Sequence, residues 1–198
     1  MIFENRWVRS VLLALLSSLT LVACSNGARG QPAASAAKPD TASTSATEAG
    51  PVPVATLKEL MDSTVDPAAD GIWESVAVRE TKEGTEHHQP RTPEEWAEVR
   101  RHAVTLIESM NLVVLDGRHA APAGTQPGLG ELDPVGIERG IEQKRAVFVS
   151  FAKALQGTAV QALEAIDHQD LEGIVKTGGD IDAACEACHV TFWYPNQK

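Results

Sequence analysis

Two cysteines and a histidine near the end of the chain have the types and spacing needed to hold a haem group. Residues 185–189 read Cys-Glu-Ala-Cys-His, the C-x-x-C-H signature of covalent haem attachment. The two thiols form thioethers with the haem vinyl groups, and the imidazole binds the iron. On a helix, positions i, i+3 and i+4 lie on one face, so all three side chains point the same way. The motif therefore predicts one covalently bound haem c, with Cys185 and Cys188 as attachment residues and His189 as an iron ligand.

The same two cysteines also allow a reading without haem, either as a disulfide or as half of a zinc site. A structural zinc site needs a second pair of ligands with comparable spacing. The other cluster of this kind, His87-His88, lies in a polar stretch and supplies no such pair. Haem is therefore the favoured interpretation. A structural lipoprotein with a Cys185–Cys188 disulfide is the alternative.

The first 23 residues have the features of a bacterial export signal. Arg6 and Arg9 precede a mainly apolar run that extends to Ala23 and is too short to span a bilayer stably. The run ends in Leu-Val-Ala-Cys at positions 21–24, which resembles a lipobox, where the signal is cut before a cysteine that carries a diacylglyceryl group. We expect residues 1–23 to be a lipoprotein signal peptide and Cys24 to be lipidated. An ordinary signal peptide with an incidental cysteine is the alternative.

These assignments account for all three cysteines and indicate a location. Cys24 carries lipid and the other two carry haem, so no odd thiol is left. Haem of the c type is attached outside the cytoplasm. The residue after the lipid cysteine is Ser25 and not Asp. In Gram-negative lipoproteins this resembles the pattern that directs sorting to the outer membrane. The sequence thus predicts a periplasmic lipoprotein anchored to a membrane, the outer one in a Gram-negative host.

A segment of low apolar content separates the signal from the rest of the chain. Residues 25–52 are mostly Ala, Ser, Thr, Pro and Gly. Such a segment cannot bury enough apolar surface to offset the entropy lost on ordering. Residues 24–52 are therefore predicted to be a lipidated, disordered tether, and residues 53–198 to be the folded domain.

The chain is acidic, which bears on its partners. The formal charge of −10 includes Arg6 and Arg9 against Glu4, a net +1, so the chain after the signal is near −10 − 1 = −11. This charge argues against a nucleic-acid partner. It suits steering towards a basic face of a redox partner protein, and it equally suits a domain that is simply kept in solution.

Beyond the tether the apolar residues recur at helical spacing, and strand signals are nearly absent. Asp66-Pro67 is expected to kink or restart the first helix, with Asp66 as its N-cap. Gly178-Gly179 weakens the last helix locally. Close contact with another helix is one reason to have glycine there, and Asp180 is expected to cap a second run of the helix. Four amphipathic helices without a sheet predict an all-α, antiparallel four-helix bundle with the haem near the C-terminus of the last helix. The four apolar stripes run from Leu57 to Val76, from Trp96 to Val113 after a Thr92–Glu95 capping box, from Ile141 to Ile166 after a loop from Asp116 to Pro134, and from Leu171 to Phe192.

The sixth position of the iron must be filled from upstream of the motif if a protein side chain fills it. The nine residues that follow His189 include no Met, His or Cys. Two methionines remain after processing, Met61 and Met110. In an up-down-up-down bundle both lie near the end of the last helix, so this geometry does not choose between them. A core methionine that fills a gap is the alternative role for each.

The motif and its position resemble a known family. A C-terminal C-x-x-C-H followed by Val190-Thr191-Phe192, on the last helix of an exported bundle, is similar to the cytochrome c′ family, the class II c-type cytochromes. The resemblance covers roughly residues 54–194. Low-spin members supply a methionine from a Leu-Met pair early in the first helix, and Leu60-Met61 matches that pattern. The resemblance therefore implies Met61 as the axial ligand, with a five-coordinate iron as the alternative.

The sequence departs from the family after Phe192, where members often have a basic residue and this chain has Trp193-Tyr194-Pro195. Many members are dimers, so a homodimer is compatible with the resemblance. The leading hypothesis is a periplasmic monohaem cytochrome that passes single electrons between redox partner proteins. The rival is a five-coordinate protein that binds nitric oxide or carbon monoxide as a sensor or scavenger. No arrangement of residues indicates an enzyme.

Overall fold

The computed structural model describes residues 50–195. The predicted signal peptide, the lipidation of Cys24 and nearly all of the tether lie outside the described residues. The described residues form six α-helices, a π-helical turn and one two-stranded sheet. In chain order these are α1 (Leu57–Leu60), the π turn (Met61–Val65), α2 (Asp66–Trp73), β1 (Ala77–Thr81), β2 (Gly84–His88), α3 (Pro93–Val113), α4 (Pro134–Gln143), α5 (Arg145–Asp167) and α6 (Leu171–Phe192).

Four helical segments pack around one core. The first is the continuous run of α1, the π turn and α2, and the other three are α3, α5 and α6. Helix α3 packs against α2 and α5, and α6 packs against α5 and α2, so the four segments form a closed ring. Their buried faces share one apolar cluster, which includes Ile72, Leu106, Leu155 and Ile181. This mostly helical packing is the bundle that the apolar stripes predict.

Local capping explains where α3 begins. The Thr92 hydroxyl accepts a hydrogen bond from the Glu95 amide at 3.2 Å, and the Glu95 carboxylate accepts one from the Thr92 amide at 2.9 Å. The same carboxylate accepts a third bond from the Arg91 amide at 2.7 Å. The predicted capping box is therefore confirmed, and it satisfies amide groups that a helix start leaves without partners.

The expectation that strands are absent was wrong for the polar stretch between α2 and α3. Strands β1 and β2 pair antiparallel there, with Ala77 opposite His88 and Thr81 opposite Gly84. Gly84 has a φ of +130°, which a glycine adopts readily and which lets the chain reverse. The hairpin is mostly exposed, so it has no alternation of buried and exposed residues by which the sequence would reveal it.

The first and third predicted helices differ from their expected courses. The first does not restart at Asp66, because the backbone remains helical through it and no side chain caps α2; Pro67 does lie in the first turn of α2. The third apolar stripe is divided between α4 and α5 at Lys144, whose φ of −124° and ψ of 36° are not helical. Helix α4 is therefore a short helix separate from α5.

Helix α6 runs through Gly178-Gly179 without a break, so the expected restart at Asp180 was wrong. The expected close helix contact is present. The Trp73 indole N–H donates to the Gly178 carbonyl oxygen at 2.9 Å, and a Cβ on Gly178 would lie 3.1 Å from Trp73 Cδ1. Glycine thus allows α2 to approach α6.

Helix α5 is long and apolar enough to cross a membrane by length and composition. Its buried residues, from Phe148 to Ile166, form one stripe that packs in the bundle core, which is the arrangement of a core helix.

Candidate haem site

The three motif residues lie in the last turns of α6. Cys185 and Cys188 are both half-buried and pack against the hydrophobic core. Both are free cysteines in the structure. Because α6 is helical through Phe192, the i, i+3, i+4 spacing directs Cys185, Cys188 and His189 to one side of the helix.

All the predicted haem residues line one cavity of about 230 Å³. Cys185, Cys188 and His189 line it from α6, and Met61 lines it from the π turn. Met110 also lines it, from α3. The structure therefore brings both candidate methionines to the same cavity as the motif.

The remaining walls of the cavity are mainly apolar and aromatic. Phe192, which follows the motif, packs edge-on against Phe148 at 5.6 Å and against Phe151 at 6.2 Å between ring centroids. Ile137 and Ile141 of α4 close another side. Two thiols, an imidazole and a thioether that meet in an apolar cavity suit a haem, whose macrocycle is apolar and whose iron takes nitrogen and sulfur ligands. The residues present therefore fit the group that the motif implies.

The partly buried surroundings of the two thiols change their pKa values. Burial raises the pKa of Cys188 to about 11. Burial, followed by the nearby charges of Asp66 and Asp182, raises the pKa of Cys185 to about 11. Among the described residues, no group of three or more His, Cys, Asp or Glu side chains is placed to hold a metal ion.

Two residues that sequence reasoning did not assign lie against His189. The His189 carbonyl oxygen accepts hydrogen bonds from the Trp193 amide at 2.8 Å and the Tyr194 amide at 3.0 Å. The Tyr194 ring lies 6.0 Å from the imidazole, and its hydroxyl donates to Glu186 at 2.5 Å. That hydrogen bond is the main reason why the pKa of Tyr194 rises to about 12. Trp193 and Tyr194 therefore lie at the C-terminal end of α6, beside His189.

The segment between α3 and α4 fixes the start of the helix that carries Met61. The Leu57 amide donates to the His119 carbonyl oxygen at 2.8 Å, and the Lys58 amide donates to that of Ala120 at 2.9 Å. Glu138 of α4 holds this segment in turn, since its carboxylate accepts from the Ala120 amide at 2.9 Å and lies 3.1 Å from the His119 ring. These loop contacts are between residues far apart in sequence, and no motif marks them.

Charged groups stand at the edge of the cavity. Lys58 pairs with Asp62 at 3.0 Å, one helical turn away, and both line the cavity. Asp66 also lines it; its burial raises its pKa, and a charge on His189 acts in the opposite direction. The described residues thus combine an apolar interior with a polar edge.

No family model matches the chain, and no curated protein matches it. Among solved structures, a nitric oxide complex of a mutant of cytochrome c prime from Alcaligenes xylosoxidans matches with 18% identity and a TM-score of 0.43, over 73% of this chain and 99% of that one. A structure named cytochrome c′ matches with 20% identity and a TM-score of 0.43, over 71% and 98%. A ferrous variant of cytochrome c prime from Alcaligenes xylosoxidans matches with 20% identity and a TM-score of 0.41, over the same shares. The chain is thus similar to these structures of cytochrome c′ at low sequence identity.

Proposed function

We propose that the protein is a monohaem c-type cytochrome that carries single electrons and has no catalytic activity of its own. The observation that carries this proposal is the convergence of Cys185, Cys188, His189 and Met61 on one apolar cavity. The two cysteines would hold one haem c covalently, and His189 would bind its iron. Bound there, the haem supplies an iron that alternates between the ferrous and ferric states, and a methionine ligand raises its reduction potential.

Met61 is proposed as the second axial ligand in preference to Met110. Met110 is only 3% exposed and belongs to the central core cluster, which is the environment of a methionine that fills a gap. Met61 is half-buried and packs at the edge of that cluster, so its thioether is less committed to the core. Met61 also belongs to the Leu60-Met61 pair that matches low-spin members of the family.

The chain's own residues would keep the site dry. Phe192 makes edge-to-face contacts with both Phe148 and Phe151, which keeps bulky apolar groups at the cavity wall. Exclusion of water favours the less charged ferrous centre and so acts in the same direction as the thioether.

A second candidate function is the binding of nitric oxide or carbon monoxide at a five-coordinate iron. The observation that favours it is the apolar surroundings of Met61 in the cavity, where Leu57 and Val65 also line the wall. If Met61 does not bind the iron, these side chains leave an apolar space that suits an uncharged diatomic ligand.

The test is a spectrum of the protein expressed with the cytochrome c maturation machinery. We expect covalent haem on a denaturing gel and a low-spin spectrum with the ferric methionine–iron charge-transfer band. Met61→Ala should abolish that band and give a ferrous form that binds carbon monoxide at once. Met110→Ala is the matched control and should retain the band.

Three outcomes would contradict parts of this proposal. Absence of covalent haem would remove both haem functions. A high-spin wild-type spectrum with immediate carbon monoxide binding would favour the gas-binding candidate. Loss of the band in Met110→Ala with its retention in Met61→Ala would transfer the ligand role to Met110.

We further propose a periplasmic location, with the chain anchored to a membrane through lipid on Cys24. The lipobox-like sequence and the Ser at position 25 support this, and the extracytoplasmic attachment of c-type haem agrees with it. The net negative charge suits redox partner proteins with basic faces and does not suit nucleic acid. A homodimer is compatible with the proposed family.

A further inference from the structure

The helical segment that carries Met61 is not a regular α-helix. The Asp66 amide donates to the Met61 carbonyl oxygen, five residues earlier, where an α-helix would use the residue four earlier. The backbone on both sides of the turn remains helical, with φ and ψ of −69° and −38° at Leu60 and −61° and −49° at Asp66. The π turn therefore adds one residue to an otherwise continuous helix, and Met61 is its first residue.

Pro67 gives a physical reason for the wider turn. In an α-helix, residue 67 would donate to the Ser63 carbonyl oxygen, but proline has no amide hydrogen and its ring collides with that oxygen. Widening the preceding turn moves the two apart. The Pro67 side chain is exposed, so its influence is on the backbone and not on packing.

The extra residue brings two buried faces into line. An α-helix turns by about 100° per residue. In a regular α-helix the buried face of α2, formed by Ala68, Ala69 and Ile72, would be rotated by roughly 100° from that of α1, formed by Leu57 and Leu60. The π turn takes up about this difference, so both faces reach the same core.

Both ends of the segment are held by other parts of the fold. The amides of Leu57 and Lys58 donate to the segment before α4, and the Trp73 indole donates to Gly178 of α6. With both ends held, the direction of Met61 is set within the turn itself.

We infer that Pro67, through the π turn, is a positioning residue that directs Met61 into the cavity. This inference rests on the proposed role of Met61 as an iron ligand. A residue at position 67 that has an amide hydrogen can donate to the Ser63 carbonyl oxygen, as in a regular α-helix. Met61, whose direction is set within the turn, then leaves its place in the cavity.

The experiment compares Pro67→Ala and Pro67→Gln with Pro93→Ala in the protein that carries covalent haem. Both changes at position 67 restore the backbone donor with different side chains, and both favour helix. Pro93 is an exposed first-turn proline of α3 and serves as the matched control. We expect both position 67 variants to lose the ferric methionine–iron charge-transfer band, with unchanged helix content and haem attachment. Hydrogen exchange should find the new amide protected, and Pro93→Ala should keep the band.

A double variant separates positioning from other effects. If Pro67 acts through Met61, then Met61→Ala and Met61→Ala with Pro67→Ala have the same spectrum. A different spectrum for the double variant would overturn the inference. Retention of the band in both position 67 variants, with its loss in Met61→Ala, would overturn the inference and leave the proposed function in place. Retention of the band in Met61→Ala would overturn both the inference and the assignment of Met61 as the iron ligand.

Discussion

At the scale of single residues, the motif side chains need little from the rest of the fold. Cys185, Cys188 and His189 are related by local helical spacing, so any helix through them places all three on one side. The burial of these side chains, by contrast, depends on the rest of the fold. The half-burial that raises the pKa of both thiols comes from elements elsewhere in the chain.

The contact between Trp73 and Gly178 leads to a prediction about adjacent glycines. Gly178→Ala gains helix propensity but places a Cβ 3.1 Å from Trp73 Cδ1 and disturbs the indole hydrogen bond. Gly179→Ala gains the same propensity in open space, because nothing lies within 4 Å of its Cβ position. We expect Gly179→Ala to raise the free energy of unfolding by about 0.5–1 kcal/mol. Gly178→Ala should be about 1–2 kcal/mol less stable than Gly179→Ala.

Urea unfolding of the two variants beside the wild type measures this difference. Equal free energies of unfolding for both variants would show that Trp73 yields without cost. The close approach of α2 to α6 would then not depend on glycine.

At the scale of elements, the long helices follow from apolar periodicity and from caps, whereas the short elements do not. The Thr92–Glu95 capping box was visible in the sequence and is formed as predicted. The β-hairpin buries almost no side chain. Helix α4 has ten residues, and its cavity residues Ile137 and Ile141 come just before the apolar stripe of α5 in the sequence, at compatible helical spacing. Helical period does not mark the change of direction at Lys144, which the tertiary packing decides.

The capping box predicts how acid weakens α3. Hydrogen bonds from the Arg91 and Thr92 amides lower the pKa of Glu95 below its usual value of 4.5. A carboxyl group with a lower pKa in the folded state stabilises the protein above its unfolded pKa, and this stabilisation disappears as the pH falls through the folded pKa. Glu95→Gln should therefore lower the melting temperature at pH 7. Its difference from the wild type should shrink as the pH falls below 4.5.

Glu94→Gln is the control, because Glu94 is also in the first turn and carries the same charge near the same helix end. Melting curves from pH 7 to pH 3 should show a smaller pH-dependent difference for Glu94→Gln. Equal pH profiles for both variants would assign the effect to the helix dipole and not to the capping hydrogen bonds.

At the scale of the whole molecule, the four segments of the bundle and the short helix α4 meet around one cavity. Met61, Met110 and His189 are far apart in sequence, and their convergence depends on the packing of α2, α3 and α6. The loop before α4 contributes by holding the start of α1. The proposed haem would therefore link most of the bundle, so its attachment should stabilise the fold as a whole.

The proposed anchor leads to a prediction about location. Cys24→Ser removes the sulfur that would carry lipid, so the protein should move from the membrane fraction to the soluble periplasmic fraction. Ser25→Asp retains the cysteine, and in a Gram-negative host it should move the protein from the outer to the inner membrane. Fractionation with detection of covalent haem measures both. Membrane retention of Cys24→Ser would mean that another part of the chain holds the protein there.

The sequence by itself determined the haem motif, the four apolar stripes and the cap of α3. These features depend on residues within a few turns of one another, for which helical spacing is sufficient. Only the tertiary structure decided that Met61 and Met110 reach the same cavity, that α4 separates from α5, and that a π turn lies beside Pro67. The first two depend on packing between distant segments. The π turn depends on the clash of the Pro67 ring with the Ser63 carbonyl oxygen and on the burial of the faces of α1 and α2 in one core, which together outweigh regular α-helix geometry.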